Sequence, residues 1–275
     1  MLAITDFALY LFARHGSIFF VNLDWRAPRP LFTPGAGRYI SIVVIAGFAA
    51  STMALLVKLL TRSRWVDVVS NVAFLLAGLA GLFVVFSGRA CFEFPAERWP
   101  YAVFFLGVLL TAAGSAWYHL SPDNESLFWD RLPMTIAFMG LVSSQVVERI
   151  GVRPGLFLLG PMLLVGMASV VYWIVSERTG AGNVLPYALL QGYAVVVLLM
   201  MAALHPSRYT RANDLYFIFG WYVLAKLLEH FDAQVLAYSH AVSGHSLKHV
   251  AAAAAGFVAC RMLVQRTLAA QEREA

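Results

Sequence analysis

An all-α integral membrane protein is the fold class this sequence predicts, and three observations carry the prediction. Of its 275 residues, 60% are hydrophobic and 13% charged, too little polar surface to cover a soluble globule of this size. The apolar residues collect into eight runs, most of them near the roughly 20 residues a helix needs to cross a hydrocarbon core. The basic residues fall mainly in the short connections between those runs, where membrane helices keep them.

The predicted spans cover residues 39–60, 66–87, 101–119, 127–147, 154–176, 184–204, 215–228 and 244–264. Ahead of them, residues 2–20 are apolar but interrupted by Asp6, Arg14 and His15, and no small-residue cleavage site follows. Segment 1–38 therefore reads as an interfacial helix and a proline-rich loop rather than a signal peptide or a ninth span. The run at 215–228 is the shortest and carries Lys226. A lysine near a helix end can snorkel or pair with the neighbouring Glu229, so the run is retained as a span. No internal repeat or long linker divides the chain, which leaves one membrane domain. Cys91 and Cys260 form no CxxC pair and imply no disulfide framework.

With both ends on one side of the membrane, that side carries twelve arginines against seven Lys or Arg on the other, Arg14 being unplaced. The positive-inside rule then predicts cytoplasmic termini. Because the charge is spread through loops, the net +5 implies no nucleic-acid partner. A compact chain with short loops fits a bacterial inner membrane.

The same orientation brings the chemically distinctive residues to one face. His119 ends one span, Asp130 lies near the start of the next, and His245 and His249 open the last, all on the extracytoplasmic side. His245 and His249 are spaced i,i+4, one turn apart on one helix face, and Ser115 stands in the same relation to His119. Three imidazoles with an open fourth position form the pattern of a catalytic Zn²⁺ site. A lone HxxxH more often makes interhelical hydrogen bonds, and the third histidine and the acid favour the metal reading. His205, His230 and His240 sit at helix ends or in loops, where solvated histidine is the ordinary case. Lys226, Glu229 and Asp232 read as an ion-paired structural cluster, Asp123 and Glu125 as solvated loop acids, and Trp65, Trp99 and Tyr101 as interfacial anchors.

Three segments together resemble the alkaline ceramidase family, within the superfamily of seven-span membrane hydrolases that also includes adiponectin-type receptors. They are Gly114-Ser115-Ala116-Trp117-Tyr118-His119-Leu120, Trp129-Asp130-Arg131-Leu132-Pro133-Met134 and Gly244-His245-Ser246-Leu247-Lys248-His249. Ser70-Asn71-Val72-Ala73-Phe74-Leu75-Leu76 resembles that family's first helix and Ala225-Lys226-Leu227-Leu228-Glu229 its sixth. The resemblance implies a seven-helix hydrolase core at 65–266, with segment 1–38 and one extra transmembrane helix at 39–60 before it and a tail at 267–275. It also implies that His119, His245 and His249 ligate zinc, that Ser115 lies beside the metal, and that Asp130 lies near the bound water. Eukaryotic members carry an Asp-Trp-x-Glu-Pro segment that binds calcium. Asp24-Trp25-Arg26-Ala27-Pro28 has alanine in place of the acid, which argues against a calcium site here.

The expected activity is zinc-dependent hydrolysis of the amide bond of a membrane N-acyl lipid, ceramide-like. Asp130 would serve as the acid and base, and Ser115 would help to stabilise the oxyanion. The acyl chain would lie among Phe, Leu and Met side chains between the spans. A lipid-binding receptor or sensor on the same zinc scaffold is the alternative, although the short cytoplasmic loops offer little surface for a partner. A transporter is disfavoured by the lack of repeats or of helices broken near the midplane.

Overall fold

The computed structural model describes residues 65–239 and 242–269. The expected interfacial segment 1–38 and extra span 39–60 lie outside the described residues, as do His240 and residues 270–275. Among the described residues the chain is all-α, without a strand, and its one isolated bridge pairs Tyr209 with Leu268.

The first apolar run forms two helices, α1 (Trp65–Ser70) and α2 (Val72–Phe86). The break has a local cause. The Ser70 hydroxyl and the Asn71 amide both donate to the carbonyl of Asp67, at 2.8 and 2.7 Å, in competition with the backbone ladder. The chain continues as α3 (Arg98–Leu120), α4 (Asn124–Arg149), α5 (Val152–Arg178), α6 (Leu185–Leu204), α7 (Asp214–His230), α8 (Asp232–Ser239) and α9 (Gly244–Gln265). The predicted span 66–87 is divided between α1 and α2, and each later one coincides with a single helix to within three residues at either end. The short α8 falls in what the sequence presents as a loop.

Five of the helices are long and apolar enough to cross a membrane, over Asp67–Phe86, Pro95–Leu120, Val152–Arg178, Leu185–Leu204 and Gly244–Gln265. The two remaining core helices depart from that standard for different reasons. Helix α7 has 17 residues, and α4 buries Ser143, Ser144, Gln145 and Glu148 inside the bundle. Helix α3 packs between α2 and α4, α5 lies on the far side of α4, and α9 packs against both α7 and α2.

Two glycines let helices approach closely where the polar ends meet. A Cβ on Gly114 of α3 would lie 2.0 Å from the carbonyl oxygen of Trp129 on α4, and one on Gly244 would lie 2.1 Å from that of Leu228 on α7. Small residues at such crossings allow the backbone-to-backbone packing that holds membrane helices together.

The opposite end of the bundle holds a buried ionic network. Arg266 pairs with Glu148, and both are almost fully buried. Tyr101 donates to Glu148 at 2.7 Å and is itself fully buried. Its expected role as an interfacial anchor is thus corrected: the phenol satisfies a carboxylate inside the bundle, whereas Trp99 next to it is exposed. Arg208 bridges Glu93 and Glu97, at 2.7 and 2.9 Å. Tyr209 donates to Glu97, and burial followed by that hydrogen bond pushes its pKa well above the ordinary phenol range. Residues 267–269 begin the expected tail, yet they are tied to the loop before α7 through Thr210 N–H to the Thr267 carbonyl and Ala269 N–H to the Arg208 carbonyl, each 2.9 Å.

Candidate metal centre

His119 occupies the last turn of α3, and His245 and His249 occupy the first two turns of α9. Each offers one ring nitrogen, and these three atoms lie within 4.8 Å of one another. Nε2 of His119 and Nε2 of His245 are 3.1 Å apart. Two imidazole ligands at about 2.0–2.1 Å on a tetrahedral ion stand roughly 3.3 Å apart, so this pair needs almost no adjustment to share one metal. The same distance suits a hydrogen bond between the two rings, but a third ring nitrogen converging on the same point adds what a simple pair does not need.

His249 is the most constrained of the three. It is buried, its ring lies against Phe74, and its Nδ1 is 2.8 Å from the hydroxyl of Ser70. That hydroxyl has one proton, and it donates it to the Asp67 carbonyl. With that proton on the Asp67 side the hydroxyl is free to accept from His249, the arrangement that carries the imidazole proton on Nδ1 and leaves the Nε2 lone pair for a metal. Metal-ligating histidines are oriented in this way, with the second nitrogen donating to an outer partner. The helix break at Asn71 places Ser70 within reach, 179 residues away in sequence.

The start of α9 is fixed by three further contacts. Ser243 caps the helix by accepting from the Ser246 N–H at 3.0 Å. Asp232 of α8 accepts from the backbone N–H of His245 at 2.6 Å, and a carboxylate at a helix N-terminus also suits the helix dipole. Asp67 accepts from the Ser246 hydroxyl, joining α1 to α9 beside the histidines.

Asp130 and Ser115 both line the cavity beside the histidines. Ser115 is buried on α3, and its hydroxyl lies close enough to the Asp130 carboxyl on α4 to favour its charged form. Lys248 and Arg131 supply the positive charges closest to that carboxylate. Lys248 also pairs with Glu229 at 2.6 Å, and Glu229 pairs with Lys226 at 2.8 Å. The expected ion-paired cluster thus contains Lys226 and Glu229, with Lys248 as its third member. Asp232 instead serves the His245 backbone.

These groups open into one cavity of about 520 Å³. Ser115, Asp130, His245 and His249 line its polar end, and Phe104, Val108, Phe138 and Leu198 are among the side chains that make the rest apolar. The remaining described histidines lie elsewhere. His230 ends α7 with its ring against Phe231, and His205 follows α6 with its carbonyl accepting from Arg149.

Asp123 and Glu125 are not simply solvated. Asp123 caps α4 in a capping box with Ser126, and Glu125 pairs with Arg178 at 2.9 Å on the surface. Hydrogen bonds from Ser126 hold the Asp123 carboxyl below the usual carboxylate range. Ser70 and Asp67 have no assigned role in the sequence reading. Their signals there are a polar Asp-x-x-Ser-Asn stretch inside an otherwise apolar run and the resemblance of the Ser70–Leu76 stretch to a family helix.

The chain matches no family model, no curated protein and no solved structure.

Proposed function

We propose that the protein is a zinc-dependent membrane hydrolase that cleaves the amide bond of an N-acyl lipid, as its resemblance to the alkaline ceramidases implies. The observation that carries this reading is the convergence of three imidazole nitrogens beside Asp130 and Ser115, which line the polar end of an apolar cavity. The donor set fits zinc: three neutral nitrogen ligands, one of them already oriented by an outer hydroxyl. When bound, zinc supplies Lewis acidity, polarising a carbonyl and lowering the pKa of a water toward about 7.

The protein's own residues do the rest. Asp130 accepts the proton of the attacking water as its oxygen bonds to the amide carbon. It later returns that proton to the departing nitrogen as the C–N bond breaks, leaving a fatty acid and an amine. Ser115, beside Asp130, stabilises the charged carboxylate before the proton is taken up. Once Asp130 carries a proton, that hydroxyl is released to donate to the developing oxyanion. The acyl chain occupies the apolar length of the cavity, which excludes bulk water from the polar end.

The arginine excess supports an orientation with the ionic network of Glu148, Arg208 and Arg266 on the cytoplasmic side and the histidines on the outer side, and the proposed location is a bacterial inner membrane. The test is hydrolysis of a long-chain N-acyl sphingosine by purified zinc-loaded protein. Turnover is expected to stop on chelation and to return with zinc. Asp130→Asn is expected to keep zinc while turnover falls by roughly 100-fold, the scale of lost acid–base help. Wild-type turnover in the metal-free protein, or in Asp130→Asn, would overturn the proposal.

A further inference from the structure

Arg131 lines the cavity next to the proposed acid–base residue, yet the chemistry above gives it nothing to do. Its guanidinium lies 4.1 Å from the ring centroid of Trp173 on α5 and 5.3 Å from that of Tyr187 on α6. Two aromatic faces thus hold the group while its N–H edge remains available for hydrogen bonds. Its Nη1 is buried and has no hydrogen-bond partner among the described residues. Such a donor inside a protein carries a desolvation cost until an acceptor arrives.

The neighbouring charges do not supply that acceptor. Lys226 and Lys248 are both paired with Glu229, and the Asp130 carboxylate feels the Arg131 charge without forming an ion pair with it. Among the described residues Arg131 is in no ion pair within 4 Å. The wall therefore carries three basic side chains against two acidic ones, in an otherwise apolar space. An aliphatic chain alone would fill that space without satisfying the guanidinium.

We propose that Arg131 binds an anionic oxygen group, carboxylate or phosphate, on the amphiphile that occupies this cavity. The preferred substrate is then an N-acyl lipid with an acidic head rather than a neutral one. This rests on the hydrolase reading above. A planar guanidinium matches both anions in a two-pronged geometry that an ammonium cannot reproduce.

A matched pair of amides tests the inference on the zinc-loaded protein in neutral detergent. N-oleoylglycine and N-oleoylethanolamine share an acyl chain and an amide and differ in a carboxylate against a hydroxymethyl group. The phosphate ester of the second provides an arm that separates the two anions. Wild-type kcat/KM is expected to favour at least one acidic amide over the neutral one by about tenfold or more, the scale of charge-assisted hydrogen bonds. In Arg131→Gln the ratio is expected to fall toward one. A partly unfolded preparation lowers both rates and leaves the ratio unchanged, so the comparison survives a loss of stability. A ratio equal in wild type and variant, or a wild-type preference for the neutral amide, overturns the role of Arg131 while leaving the hydrolase reading intact. If zinc is bound and neither these arms nor the N-acyl sphingosine turns over, the hydrolase reading fails instead. Arg131 is then judged by equilibrium binding of the same lipids, where equal affinity of wild type and variant for the acidic ones refutes it.

Discussion

Replacing Ser70 with alanine isolates the orienting contact behind His249. The substitution removes one oxygen atom, so the packing change is small. The hydroxyl is 2.8 Å from His249 Nδ1, and the metal-binding tautomer needs it as the acceptor of the Nδ1 proton. The Asp67 carbonyl keeps the Asn71 amide as a donor at 2.7 Å, so the helix break should persist. His249 is buried, and without Ser70 its Nδ1 loses this hydroxyl, at about 1–3 kcal/mol, or the proton moves to Nε2 and blocks the lone pair needed for metal. Both outcomes act against binding. Removal of an outer-shell partner lowers metal affinity by roughly 10- to 100-fold, equivalent to about 1.4–2.7 kcal/mol. Competition with a chromophoric chelator in detergent measures the zinc dissociation constant. Ser70→Thr, which keeps a hydroxyl, should stay near wild type. A dissociation constant for Ser70→Ala within twofold of wild type would refute the orientation inferred for His249.

Two further predictions concern the rest of the bundle. Glu148→Gln retains an acceptor for Tyr101 but leaves the Arg266 guanidinium buried without its counter-charge, so unfolding in detergent should be easier by about 3–5 kcal/mol. A double substitution with Arg266→Gln should recover most of that loss, and no recovery would mean that the pair is not coupled. In a Cys91→Ser, Cys260→Ala background, Asn124→Cys should react with a membrane-impermeant thiol reagent from outside intact cells. His205→Cys, exposed at the other end of the bundle, should not; the reverse pattern would invert the orientation.

The long helices from residue 66 onward are legible, five of them long and apolar enough to cross a membrane, because hydropathy over some 20 residues is a summed signal that tolerates local exceptions. Polar residues buried in α4 dilute the signal there without hiding it. Helix α8 is not legible, since eight residues with no buried side chain carry no periodic pattern. The grouping of Ser115, His119, Asp130, His245 and His249 is readable because helical spacing and the alternation of spans place them at one depth. Contacts that depend on side-chain rotamers across distant helices are not. Ser70 with His249, Asp67 with Ser246 and Lys248 with Glu229 all belong to that class. Tyr101 illustrates the same limit: near a span end the ordinary expectation for tyrosine is the interface, and only the position of Glu148 one helix away turns it inward. The Asp123 cap was within reach of sequence, because Asp followed three residues later by Ser is a helix-start pattern.

Metal content measured on purified protein tests the central claim most directly. The account predicts about one zinc per wild-type chain by elemental analysis, and a near-total loss in His249→Ala with the helical circular-dichroism spectrum retained. Stoichiometric zinc in His249→Ala, or a correctly folded wild-type protein that takes up no metal from zinc-supplemented buffer, would contradict it.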